Sequence, residues 1–212
     1  MMIKDLLEKL KFSTYVIFHP FKGFWELKKE KKGNYASAGI LVALLVVVFI
    51  IRRQLTGFIF NTNDVNEMNI FFEISGVLLP FILWCIANWC ITTLMDGEGN
   101  FKEIVITTAY AITPLILINI PLVILSNIIT INDGSIYYFL DAVALLWTGA
   151  LLVFGLMTIH EFTFSKTILT AIIAIVGMII IVFIGLLFFA LVQQIANFLG
   201  IIYRELALRY NW

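Results

Sequence analysis

The densest group of residues able to do chemistry is Asp96-Gly97-Glu98-Gly99, at the end of an apolar run. Two carboxylates two residues apart in a glycine-bearing loop invite a divalent cation. A calcium loop asks for oxygen ligands at positions 1, 3 and 5, glycine at 6 and glutamate at 12. Asp96, Glu98 and Asn100 fill the first three, but Phe101 and Thr107 hold the last two. The plainer reading is a solvated turn in which Gly97 and Gly99 supply positive φ. The sharper one is a loop that docks a partner or touches an ion. His160-Glu161 opens like a zinc-protease motif, yet Phe164 stands where the second histidine is required. Cys85 and Cys90, five residues apart, point roughly 140° away from each other on a helix and read as small hydrophobes. The sequence contains no phosphate loop, dinucleotide fingerprint, nucleophile elbow or paired catalytic carboxylates. Neither a metal nor an organic cofactor is expected, and catalysis is not.

A second group consists of polar or conformationally special residues inside greasy runs. Asn88 lies within "ANWCITTL" beside Trp89. An amide facing lipid is costly, so it should face other helices, as interhelical glue or as the lining of a path. Trp84 and Trp89 read as packing or interface residues. Tyr110 and Pro114 stand one helical turn apart, and Pro121 follows two turns later. Proline removes a backbone donor and kinks a helix. Thr107, Ala109, Ala111 and Thr113 provide small surfaces for close helix approach, which marks this segment as a bundle centre.

These residues need elements to position them, and composition defines the kind. Of 212 residues, 61% are hydrophobic and 13% charged. A soluble domain carries about 25% charged residues and could not bury so much apolar surface. Formal net charge is zero, which gives no global signature for nucleic acid. Five apolar stretches reach or approach the roughly 20 residues that span a bilayer. They cover about 35–51, 72–94, 104–129, 136–157 and 167–192. Runs this long satisfy their backbone in lipid as helices. The fold class is therefore all-α: a polytopic membrane protein, a bundle of five transmembrane helices.

Amphipathic segments flank the bundle. In residues 1–34, Ile3, Leu6, Leu7 and Leu10 share one helical face, and Phe21, Phe24, Trp25 and Leu27 offer an apolar side next to a lysine cluster. His19, before Pro20, reads as interfacial. The first long apolar run begins only near Tyr35 and is expected to be a retained span, not a removed leader. Residues 193–212 carry Gln193, Gln194, Asn197, Arg204 and Arg209 between apolar residues at helical spacing. They read as an interfacial or protruding helix with Tyr210 and Trp212 at headgroup depth. With the N-terminus inside, ten Lys and Arg fall on the inner side and four on the outer. The positive-inside rule then predicts a cytoplasmic N-terminus and an extracytoplasmic C-terminus in the plasma membrane. Arg52 and Arg53 violate that rule. With Glu73 and Asp141 near the same face an ion-pair cluster is possible, although solvated charges at helix ends are the expectation.

The chain resembles the Yip1-domain family. The resemblance is carried by "HPFKGFWELKKEKKGNYASAGILV", "RRQLTGFIFN" and "ANWCITTLMDGEGNFKEIVITTAYAITPLILINIPLVILSNIIT", and by the late apolar span. Its most specific part is Asn88-Trp89, Asp96-Gly97-Glu98-Gly99, Phe101, Tyr110-Ala111 and Pro114. It runs from about His19 to about Gln193 and implies five spans with a cytosolic N-terminus. The chain is similar to the bacterial branch, since it lacks the long polar N-terminal region of the eukaryotic relatives that associate with small GTPases.

The functional expectation is a non-catalytic scaffold or accessory subunit that recognises other membrane components, the lipid bilayer and other membrane proteins, through helix faces and the "DGEG" loop. In that reading Asn88 and Tyr110 organise polar contacts inside the bundle, Pro114 sets a kink, and Asp96 and Glu98 meet a partner or ion. The alternative is a small-solute channel, a transporter or a lipid-moving protein with a polar path near Asn88 and Asn119.

Overall fold

A computed structural model describes residues 2–61 and 69–210. Among these residues the chain is helical apart from turns and contains no strand. The order is α1 (Met2–Phe18), α2 (Pro20–Lys29), α3 (Tyr35–Leu55), α4 (Ile70–Leu94), α5 (Phe101–Ala111), α6 (Thr113–Ser126), a short 3-10 turn, α7 (Gly134–His160) and α8 (Phe164–Tyr210). Five stretches are long and apolar enough to cross a bilayer: α3, α4, α5 with α6, α7, and α8. The molecule is an all-α polytopic bundle.

The third crossing is the bundle's centre, with 61% of its most apolar window buried. It is broken at Ile112, where Pro114 enters as the second residue of α6. Proline cannot donate to the Tyr110 carbonyl, and the Thr113 hydroxyl takes that place at 2.7 Å. By contrast, α4 continues through Pro80 and α6 through Pro121. Only one of the three intramembrane prolines interrupts its helix.

Local chemistry sets the other starts and stops. Asn34 and Ser37 form a reciprocal capping box at the start of α3. The Glu103 carboxylate accepts from the Asn100 backbone N–H at 3.1 Å and starts α5, as an acid in a first turn should. Gly57 lets α3 end against α6: its N–H donates to Ser126 Oγ at 2.9 Å, and a Cβ there would lie 2.2 Å from the Ser126 carbonyl oxygen.

Two regions add detail that run length alone does not give. The first is the N-terminal segment, whose helix runs on to Phe18. The apolar residues of α2 divide between two faces. Phe24 and Leu27 are buried in the core, while Phe21 and Trp25 are about half exposed on the outer rim. The second is the C-terminal end. Residues 193–210 continue α8 without a break. At about 1.5 Å per residue α8 is roughly 70 Å long, more than twice the hydrocarbon core. Gln193, Gln194 and Asn197 mark the end of the apolar run, but none of them breaks a helix. Trp212 lies outside the described residues.

Candidate functional site

Chain direction places α1, α2, the α4–α5 loop and the α7–α8 turn on one face of the bundle, called here the N-terminal face. Ion pairs join them. Lys28 on α2 reaches Glu98 Oε2 at 3.1 Å and Glu161 Oε1 at 2.8 Å. Its side chain is 10% exposed, and those of the two glutamates are about half exposed. Burial disfavours the Lys28 ammonium, but the hydrogen bonds to Glu161 and Glu98 outweigh it and its pKa is raised. The same Lys28 hydrogen bond holds the Glu161 carboxyl below its ordinary value. Lys29 adds a 3.6 Å contact to Glu161.

The loop glycines serve a purpose other than positive φ. No described glycine has positive φ, and the left-handed residue of the loop is Asp96, at φ 55°. Asp96 follows α4 as the left-handed residue of a Schellman-type end, and the Gly97 N–H closes it on the Thr92 carbonyl at 2.8 Å. Gly97 and Gly99 are needed because the His160 imidazole lies against them. A Cβ on Gly97 would lie 2.6 Å from His160 Nδ1, and one on Gly99 2.8 Å from His160 Cε1. The Gly99 N–H donates to His160 Nδ1 at 3.2 Å. In the neutral ring the proton then sits on Nε2, which is buried without a partner.

A similar end closes α7. Glu161 is left-handed at φ 54°, and the Phe162 N–H donates to the Met157 carbonyl at 3.2 Å. Lys166, in the first turn of α8, donates to the Met95 carbonyl at 2.7 Å, so a cation caps the end of α4. Its ammonium also stands 4.1 Å from the Phe162 ring centroid.

Tyr110 is fully buried, and its hydroxyl lies 3.0 Å from the Lys9 carbonyl and 3.1 Å from Ser37 Oγ. It thereby ties α1 and α3 to the central crossing. Pro114 is buried at the helix break. Trp89 is 45% exposed and meets the Phe101 ring edge-on at 5.8 Å, closing the outside of the α4–α5 loop. Asn88 is fully buried, but neither of its side-chain amide atoms has a hydrogen-bond partner. Tyr110 thus makes polar contacts with two other helices, whereas the Asn88 amide has no partner among the described residues. Cys85 is buried and Cys90 exposed, both as free thiols.

On the opposite face the expected solvated charges are in fact paired. Arg52 grips Asp141 through both terminal nitrogens, at 2.7 and 3.1 Å, and donates to Asn119 Oδ1 at 2.7 Å. Arg53 pairs with Glu73. In a low-dielectric setting a guanidinium without a carboxylate is costly, and a fork-to-fork pair meets that need. Asn119 is occupied by this network: it also donates to the Leu115 carbonyl at 2.7 Å.

Sequence reasoning missed Lys28, His160, Glu161 and Lys166 as members of the first site. His160-Glu161 was weighed only as a metal motif. Its place after the fourth crossing, on the same face as "DGEG", was the available signal.

The fold and these two polar faces define a helical multi-pass membrane protein with five crossings. The Yip1-domain family model matches residues 14–201, and the chain belongs to that family. No curated protein and no solved structure matches it.

Proposed function

We propose that this Yip1-domain chain is a non-catalytic scaffold or accessory subunit of the plasma membrane. Its N-terminal face lies in the cytoplasm and docks other membrane proteins. The carrying observation is the Lys28 junction, which joins α2, the "DGEG" loop and the α7–α8 turn into one surface. His160 beneath the loop fixes its shape. Asp96, Glu98 and Glu161 form the exposed acidic rim of that surface, and a basic or hydrogen-bonding segment of a partner is its natural complement. Crosslinking with mass spectrometry in native membranes tests the proposal, with wild type compared against Asp96→Lys. The expected result is a reproducible membrane-protein partner that is lost in the variant. Absence of any reproducible partner contradicts it.

A second reading, movement of a small solute or lipid, draws on Asn88. Its buried amide has a free donor and a free acceptor. A liposome flux assay of wild type against Asn88→Leu addresses it: no flux in either removes this reading.

A further inference from the structure

A cleft of about 640 Å³ opens sideways between α3 and α4. Gly39, Ala43, Val47, Ile74, Leu78 and Phe81 are among the residues that line it, and Tyr35 and Val105 stand at its N-terminal end. The lining from Tyr35 to Ile50 extends roughly 22 Å along α3. This cleft therefore starts at the N-terminal face and passes the midplane of a hydrocarbon core about 30 Å thick. A Cβ on Gly39 would meet nothing within 4 Å, so the space is open about 6 Å in from Tyr35. Its mouth is cationic. Lys102 lies one turn before Val105, and its ammonium stands 5.4 Å from the Tyr35 ring centroid. Lys102 is exposed and forms no ion pair among the described residues.

We infer that this cleft binds an anionic phospholipid from the leaflet on the N-terminal side. One acyl chain lies along Gly39, Ala43 and Leu78, and the headgroup phosphate rests on Lys102. A slot with apolar walls inside a bilayer must be filled by hydrocarbon, and a single unpaired ammonium at its mouth selects a negative headgroup. Tyr35, amphipathic and half exposed beside Lys102, marks the headgroup depth. The occupant does not depend on the docking role of the N-terminal face, since none of the residues that form that role lines this cleft.

The test is native mass spectrometry of the full chain released from nanodiscs of equal phosphatidylglycerol and phosphatidylcholine. Wild type is expected to retain one lipid and to favour phosphatidylglycerol. Gly39→Leu, whose Cβ has no protein atom within 4 Å, extends into the slot and should abolish retention; Ala43→Leu should act likewise. Lys102→Gln should keep one retained lipid but lose about fivefold of the headgroup preference. Unchanged lipid retention in Gly39→Leu and Ala43→Leu overturns the inference. So does a lipid-free dimer that either variant converts to monomer, because the occupant is then a second copy of the chain. Equal headgroup preference in wild type and Lys102→Gln overturns the anionic assignment.

Discussion

The His160 Nδ1 accepts the Gly99 N–H at 3.2 Å, and a methyl group on Gly99 would collide with the ring. The glycine thus reports a neighbour 61 residues away, not a turn that only glycine can make. A double-mutant cycle checks this. Gly99→Ala should destabilise the folded chain by about 1–3 kcal/mol through overpacking. His160→Ala should relieve most of that cost when the two are combined. Additive effects in detergent unfolding would contradict the contact.

Tyr110 connects α1 to the central crossing through one hydroxyl. Tyr110→Phe keeps the ring and removes the hydrogen bond, at about 0.5–1.5 kcal/mol. The visible consequence should be faster backbone amide exchange in α1, with α7 unchanged. Equal exchange throughout would show that α1 is held by other contacts.

The Arg52–Asp141 pair should behave as a buried ion pair does. Removing one partner strands a charge, and Arg52→Met is expected to cost roughly 3–5 kcal/mol. Combined with Asp141→Leu, the loss should shrink markedly. A double variant as unstable as the single one would place the importance of Arg52 elsewhere.

Acid pH should weaken the Lys28 junction. The Glu161 carboxyl is held below its ordinary value by the hydrogen bond from Lys28. The unfolded chain therefore takes up the proton first as pH falls. The stabilisation is fully present above the ordinary glutamate range and is lost as pH drops through the lowered value. Melting temperature against pH should show this loss in wild type and a shallower acid slope in Lys28→Gln. Identical slopes would contradict the coupling.

What was legible in the sequence followed from short-range rules. Apolar run length placed the five crossings, and Pro114 beside Thr113 marked the break in the third. Glu103 in the first turn of α5 obeys the same kind of rule, since acids favour helix N-termini. What was not legible depends on pairing between distant segments. Lys28 and Glu161 are 133 residues apart, and Arg52 and Asp141 are 89 apart. No local pattern distinguishes a paired charge from a solvated one. The continuation of α8 was hidden for a different reason: polar residues end a membrane span without ending a helix.

The central claim is that the junction of Lys28 with Glu98 and Glu161 shapes a docking surface, and a charge swap tests it most directly. Partner crosslinks in native membranes should be lost in Lys28→Glu and recovered when Glu161→Lys is added, with both variants inserted and folded. Crosslinks indifferent to the single reversal would contradict the account, as would crosslinks that the second reversal fails to restore.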